Sequence, residues 1–169
     1  HMVERAARIA RADVDRIKEH VRLAEGLDGK GGLSEEALAR ALECLSRFGQ
    51  LVLQRGSWEG KALVPEAWMA RLEDLSDAWH TPEHFAYYID RKLPWARPLA
   101  SGRYAYKDFW WHHRPAAGAH DLFAMGALGA HVYVSPDTDC VIVRLADRFP
   151  PGLWWAGLLR RVAEAAAAA

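Results

Sequence analysis

Two apolar runs around a polar turn, late in the chain, constrain its fold more than any other stretch. Val132-Tyr133-Val134 and Cys140 to Leu145 are built from branched, aromatic and other apolar side chains, and Ser135-Pro136-Asp137-Thr138-Asp139 separates them. Branched and aromatic residues suit a pleated, half-buried strand, whereas proline with short acidic and hydroxyl side chains favours a turn. The pair reads as a β-hairpin. Tyr104 to Trp111 is also aromatic and strand-like, and Phe123 to Val134 carries Gly126 and Gly129 before its branched run. An antiparallel sheet of about three strands is the expectation for this part of the chain.

The first half has a helical period instead. Ala10, Val14, Ile17, Val21 and Ala24 fall on one stripe of a helix over residues 3–25, with Arg8, Arg11, Asp15, Lys18, Glu19 and Arg22 opposite. Gly26, Gly29, Gly31 and Gly32 end it in a joint, so residues 3–30 form a helix-and-joint segment ahead of the region 31–169. Ser34 then caps a second helix with Glu35 and Glu36 in its first turn and Leu38, Ala41, Leu42, Leu45, Phe48 and Val52 as its stripe. A loop around Trp58 to Lys61 leads to Pro65 and a helix bearing Trp68, Met69 and Leu72. After Pro150-Pro151, Leu153, Trp154, Leu158, Leu159 and Val162 mark a final amphipathic helix, with Trp154-Trp155 as packing residues. Trp110 and Trp111 alternate across their strand, one to each face. The class is α+β: helices first, then the sheet, with the last helix laid across it.

Composition narrows the function. A chain of 169 residues, 51% of them hydrophobic, is long enough for a core without staples. Its 22 basic and 22 acidic side chains cancel, which argues against a nucleic-acid partner. No apolar run approaches the ~20 residues that cross a bilayer, so no membrane partner is expected. His1-Met2 reads as a tag remnant. Two cysteines, Cys44 and Cys140, make no disulfide framework; a reducing, cytoplasmic setting is the default.

The order of short motifs resembles one region of the β-lactamase-related serine hydrolases. Gly31-Gly32-Leu33-Ser34, Arg47-Phe48-Gly49-Gln50-Leu51-Val52-Leu53, Gly60-Lys61 and Leu63-Val64-Pro65-Glu66-Ala67-Trp68 follow that family's sequence of joint, helix, loop and helix. Tyr104-x-Tyr106 with Trp110-Trp111 is similar to its aromatic strand, and Gly126 through Pro136 to its glycine-rich strand. Cys140-Val141-Ile142-Val143-Arg144 fits the last strand and residues 151–165 the C-terminal helix. The resemblance covers roughly 31–165 and is nearest to esterases, 6-aminohexanoate-dimer hydrolases and class C β-lactamases. It implies a partial β-lactamase-like fold and, in the full-length family, ester or amide hydrolysis through an acyl-serine, with no cofactor.

The catalytic motifs of that family are missing from this chain. A nucleophilic serine needs a lysine three residues later, one helical turn away, to take its proton. Ser34, Ser46, Ser57, Ser76, Ser101 and Ser135 are followed at that spacing by Ala37, Gly49, Gly60, Trp79, Tyr104 and Thr138. Lys61 lies one position too far from Ser57. A chain with no asparagine cannot carry Tyr-x-Asn or Ser-x-Asn, and Tyr133-Val134-Ser135 imitates a variant on a strand where the family has structural residues. The third motif, Lys/His-Thr/Ser-Gly, would fall at Asp121-Leu122-Phe123-Ala124, which departs from it. By resemblance the backbone amide near Ala124 is an oxyanion donor, and Trp110, Trp111, His112, His120, Asp121, Phe123, Gly126 and His131 are the candidates to line a cleft. The chain is thus expected to be catalytically incomplete, its partner being a missing catalytic segment.

Two further readings come from other classes. A non-catalytic module would bind a protein partner or itself through an exposed sheet edge. A zinc hydrolase would use His80-Thr81-Pro82-Glu83-His84, an H-x-x-E-H pattern. Pro82 opposes it, because Thr81-Pro82-Glu83 suits a helix start that leaves His80 outside the helix.

Overall fold

The computed structural model describes residues 34–76, 86–87, 89–93, 98, 101–126, 129–146 and 153–169. The remnant at 1–2, the segment 3–30 and the His80, Glu83 and His84 motif lie outside them. The chain divides into two units, His1–Cys44 and Leu45–Ala169. The described part of the first is the start of α1 (Glu35–Leu53), where the Ser34 hydroxyl accepts the Ala37 amide at 3.2 Å as a helix cap.

In the second unit α1 continues to a tight end at Arg55 and Gly56. Both have positive φ, and the Gly56 amide reaches back to the Leu51 carbonyl at 2.8 Å. What the sequence presents as a loop is a small hairpin, β1 (Ser57–Trp58) and β2 (Lys61–Ala62). Glu59 and Gly60 at its tip both have positive φ, as a type I′ turn demands. Pro65 then caps α2 (Glu66–Glu73), which buries Met69 and Leu72 and leaves Trp68 exposed.

Among the described residues the sheet has five strands, not about three. They run as an antiparallel meander in sequence order: β3 (Tyr104–Lys107), β4 (Trp110–His113), β5 (Asp121–Met125), β6 (His131–Ser135) and β7 (Cys140–Arg144). The aromatic run Tyr104–Trp111 breaks at Asp108-Phe109, where both residues take positive φ and Lys107 pairs with Trp110 across a two-residue turn. The run from Phe123 to Val134 breaks between Gly126 and Ala130, joined by a 2.8 Å bond from the Gly126 amide to the Ala130 carbonyl. Two of the three anticipated stretches are therefore hairpins. The Val132/Cys140 hairpin is as the sequence implies, with Val132 opposite Val143 and Ser135 opposite Cys140.

Strand alternation divides the sheet into two packed faces. Val52 of α1 and Met69 and Leu72 of α2 cover Trp110, Leu122, Val132 and Val134. Fully burying each such side chain contributes about 1.5–3 kcal/mol over leaving it in water. Gly49 sets the approach of α1: a Cβ there would stand 2.4 Å from Val141 Cγ1 and 3.1 Å from Val132 Cγ1. The other face, Phe123 and Tyr133 with Trp111 and Ile142, lies under Leu153 and α3 (Trp154–Ala167). The stripe of α3 is offset from the sequence expectation. Leu153, Ala156, Leu159 and Ala163 are buried, whereas Trp154 and Val162 are about half exposed. Small alanines let the helix lie close to the sheet, and the bulky pair turns outward.

Candidate functional site

Three polar clusters are built into this scaffold, and the largest centres on Asp121. Its carboxylate is fully buried at the start of β5. The Tyr133 hydroxyl donates to Asp121 Oδ2 at 2.5 Å, and Arg160 Nη1 from α3 donates to Oδ1 at 3.1 Å. Since the phenolic proton points at the carboxylate, the phenol oxygen accepts from His113 Nδ1 at 3.2 Å. Arg160 also grips Asp137 through two bonds of 2.6 and 2.7 Å, Ser135 Oγ at 3.1 Å and Glu164 at 2.7 Å. Burial pushes the Asp121 carboxyl up, but contributions from His113, Tyr133 and Ser135 and the Arg160 charge outweigh it and hold the group below its usual range. Burial first, then the same carboxylate, raises the Tyr133 phenol. An ionised acid, a charged arginine and a neutral phenol thus join α3 to three strands.

The second cluster lies on the opposite face. His112 is fully buried on β4, and its Nδ1 meets His120 Nε2 at 2.8 Å, with the rings stacked at 5.0 Å. Whichever ring donates, His112 Nε2 is left buried without a hydrogen-bond partner among the described residues. Burial, reinforced by His120, Arg114 and Lys107, pushes His112 down to about 3. Burial and Arg114 likewise lower His120. Both rings are neutral at ordinary pH.

The third cluster pairs β6 with the start of α3. His131 Nδ1 donates to the Gly129 carbonyl at 3.0 Å, so its buried Nε2 is a bare acceptor without a hydrogen-bond partner among the described residues. Burial lowers its pKa. Trp155, 5.8 Å away between ring centres, has a buried indole N–H that likewise has no hydrogen-bond partner among the described residues. Arg144 lies 4.0 Å over the Trp155 ring and bonds the Gly129 carbonyl.

The anticipated cleft residues are therefore distributed over both faces. Trp110 and His112, with His120 reaching in, sit under α1 and α2; Trp111, Asp121, Phe123 and His131 belong to the α3 side. Ala124 stays paired with Val132, while the β4–β5 ladder ends one residue earlier at Trp111 opposite Phe123. Gly126 closes β5. Among the described residues no group of three metal-binding side chains converges.

Several serines have structural roles. Ser34 caps α1, Ser101 bonds the Pro98 carbonyl at 2.5 Å, and Ser135 is fully buried between Arg160 and Asp137. Burial, then Asp139, raises the Cys140 thiol and disfavours its nucleophilic thiolate. Sequence reasoning missed Arg160 as the partner of Asp121, and Asp137 as the second carboxylate that Arg160 holds. The available signal was one arginine among the apolar positions of the last helix, near the residues that α3 buries.

The chain has no significant match among protein-family models, curated proteins or solved structures. Among the described residues no helix is long and apolar enough to cross a membrane.

Proposed function

We propose that residues 31–169 are the C-terminal part of a β-lactamase-related serine hydrolase, with a partial β-lactamase-like fold and without its nucleophile. One observation carries this reading. Gly49, inside the Arg47-Phe48-Gly49-Gln50-Leu51 stretch, is the point at which α1 rests on Val132 and Val141 of the last two strands. A motif drawn from one part of the resemblance thus touches motifs drawn from two others, in the arrangement one packed domain needs. The glycine-rich stretch, the proline after β6 and the last helix follow in the same order. In this reading Ala124 supplies a backbone amide beside an acyl group, and the serine and lysine come from a segment outside residues 31–169. The chain supplies scaffold, and ester or amide hydrolysis needs both parts.

The test is to extend the reading frame upstream of residue 31 in the source genome and express it. A frame encoding Ser-x-x-Lys followed by Tyr-x-Asn or Ser-x-Asn, labelled by a fluorophosphonate at that serine, bears the reading out. A long open frame with neither motif overturns it.

A further inference from the structure

We infer that the first half of α1 is a docking surface for residues 3–25 of the same chain, which fold back on it across the glycine joint as an antiparallel pair of helices. The two halves of α1 differ in what they meet. From Leu45 onward the helix has its partners: Leu45 packs against the sheet core, Gly49 and Val52 are buried, and Phe48 stacks on Trp110 at 5.7 Å between ring centres. Before Leu45 none of the residues 35–44 is buried, and Leu38 and Ala41 belong to no core cluster among the described residues. Glu36 and Arg40 pair with each other at 3.3 Å on the side of the helix away from these two, so this stretch keeps one apolar side and one polar side. The division of the chain into compact units falls at this point, and it groups residues 35–44 with the chain that precedes them.

The sequence names the occupant. Residues 3–25 carry an apolar stripe that a lone helix leaves in water, and such a stripe needs a partner. Val21 and Leu38, and likewise Ile17 and Ala41, stand about equally far from the joint on its two sides. Folding back at the joint therefore sets stripe on stripe, turn by turn. The joint, residues 26–32, spans ~23 Å at full stretch, enough to cross the roughly 8–10 Å between packed helix axes. Its glycines let the chain reverse. Tethering favours this segment over a second copy or another protein, because a short flexible linker holds it at an effective concentration on the order of mM. The inference uses residues of the first unit alone and no part of the sheet. It goes beyond the hydrolase reading, which begins at residue 31, and neither needs nor excludes the catalytic segment that reading calls for.

Disulfide trapping in the full chain tests it, in a Cys44→Ser, Cys140→Ser background. Val21→Cys with Leu38→Cys should close under mild oxidation into a disulfide within one 19.0 kDa chain, mapped by peptide mass. Glu19→Cys with Arg40→Cys is as far from the joint but lies on the two polar sides, and it should close about tenfold more slowly or not at all. Hydrogen exchange gives a second readout: Val21→Asp should speed exchange of the 38–44 amides by about tenfold or more and leave those of β6 unchanged. Should Val21→Asp disturb β6 as well, the cysteine pairs decide alone. The inference is overturned by a Val21/Leu38 pair that does not close or that joins two chains. A polar-side pair that closes as fast overturns it too, as does exchange at 38–44 that Val21→Asp leaves unmoved.

Discussion

Replacing Arg160 with methionine removes the charge that neutralises Asp121 and leaves a fully buried carboxylate with the Tyr133 hydroxyl at 2.5 Å and His113 Nδ1 at 3.7 Å. Methionine keeps helix propensity and length, so the change isolates the electrostatics. The Arg160 side chain is 11% exposed and Asp121 is 0% exposed, so water screens little of the interaction. Breaking one side of such a pair costs about 3–5 kcal/mol, because the remaining charge is desolvated and uncompensated. In a domain of this size each kcal/mol is worth about 2–4 °C, so Tm should fall by roughly 10 °C. The pH dependence carries a sign. In the wild type the Asp121 carboxyl is depressed, so its contribution is present above the unfolded value of ~3.9 and is lost as pH falls through the folded one. In Arg160→Met one of the groups that hold this carboxyl down is gone while burial still pushes it up, so the folded value rises and the variant has less stability left to lose as pH falls. The two urea-denaturation free energies should converge as pH falls below about 4–5. Arg160→Met with Asp121→Leu should recover most of the loss, since an apolar replacement of a buried pair is often neutral. A single-variant loss under ~1 kcal/mol, or a double variant no better than the single, would refute the reasoning.

Four further outcomes follow from the same packing. Gly49→Ala should destabilise by about 1–3 kcal/mol in urea unfolding despite alanine's higher helix propensity, because its Cβ meets Val141 Cγ1 at 2.4 Å. Phe109→Gly should stabilise by roughly 1 kcal/mol, since Phe109 is 88% exposed and held at φ 68°, where a bulky side chain is strained. Tyr133→Phe should cost about 1.5–3 kcal/mol, the worth of a hydrogen bond to a charged acceptor, with the sheet intact by circular dichroism. His112 and His120 both lie below the unfolded value of ~6.5, so their contribution is present above that pH and is lost as pH falls through it. His112→Leu with His120→Leu should flatten the stability profile between about pH 6.5 and 4, and an unchanged profile would contradict the assignment.

The hairpin at Val132 and Cys140 was legible because its alternation and turn chemistry agree. Pro136 and the acidic residues around it mark a turn that no strand reading can absorb. The Asp108-Phe109 turn was hidden for the opposite reason. Asparagine or glycine marks a type I′ turn, whereas a phenylalanine there looks like the continuation of an aromatic strand. The face of the last helix misled because tryptophan and valine look like core residues, yet Ala156 and Ala163 are what allow close packing on the sheet. Asp121 was legible as a candidate, but its partner Arg160 is 39 residues away, and no local period links strand to helix at that range. His112 and His120 are nearer, yet their meeting depends on the path of the 114–120 connection and not on any spacing in the chain.

The proposed function places no reactive serine nucleophile on this chain. Incubation with an excess of a reactive fluorophosphonate, followed by intact mass, tests it most directly, with a serine hydrolase of known activity as the positive control. The account predicts an unchanged mass for this chain while the control is fully labelled. A stoichiometric adduct, mapped to any of Ser34, Ser46, Ser57, Ser76, Ser101 or Ser135, would contradict it.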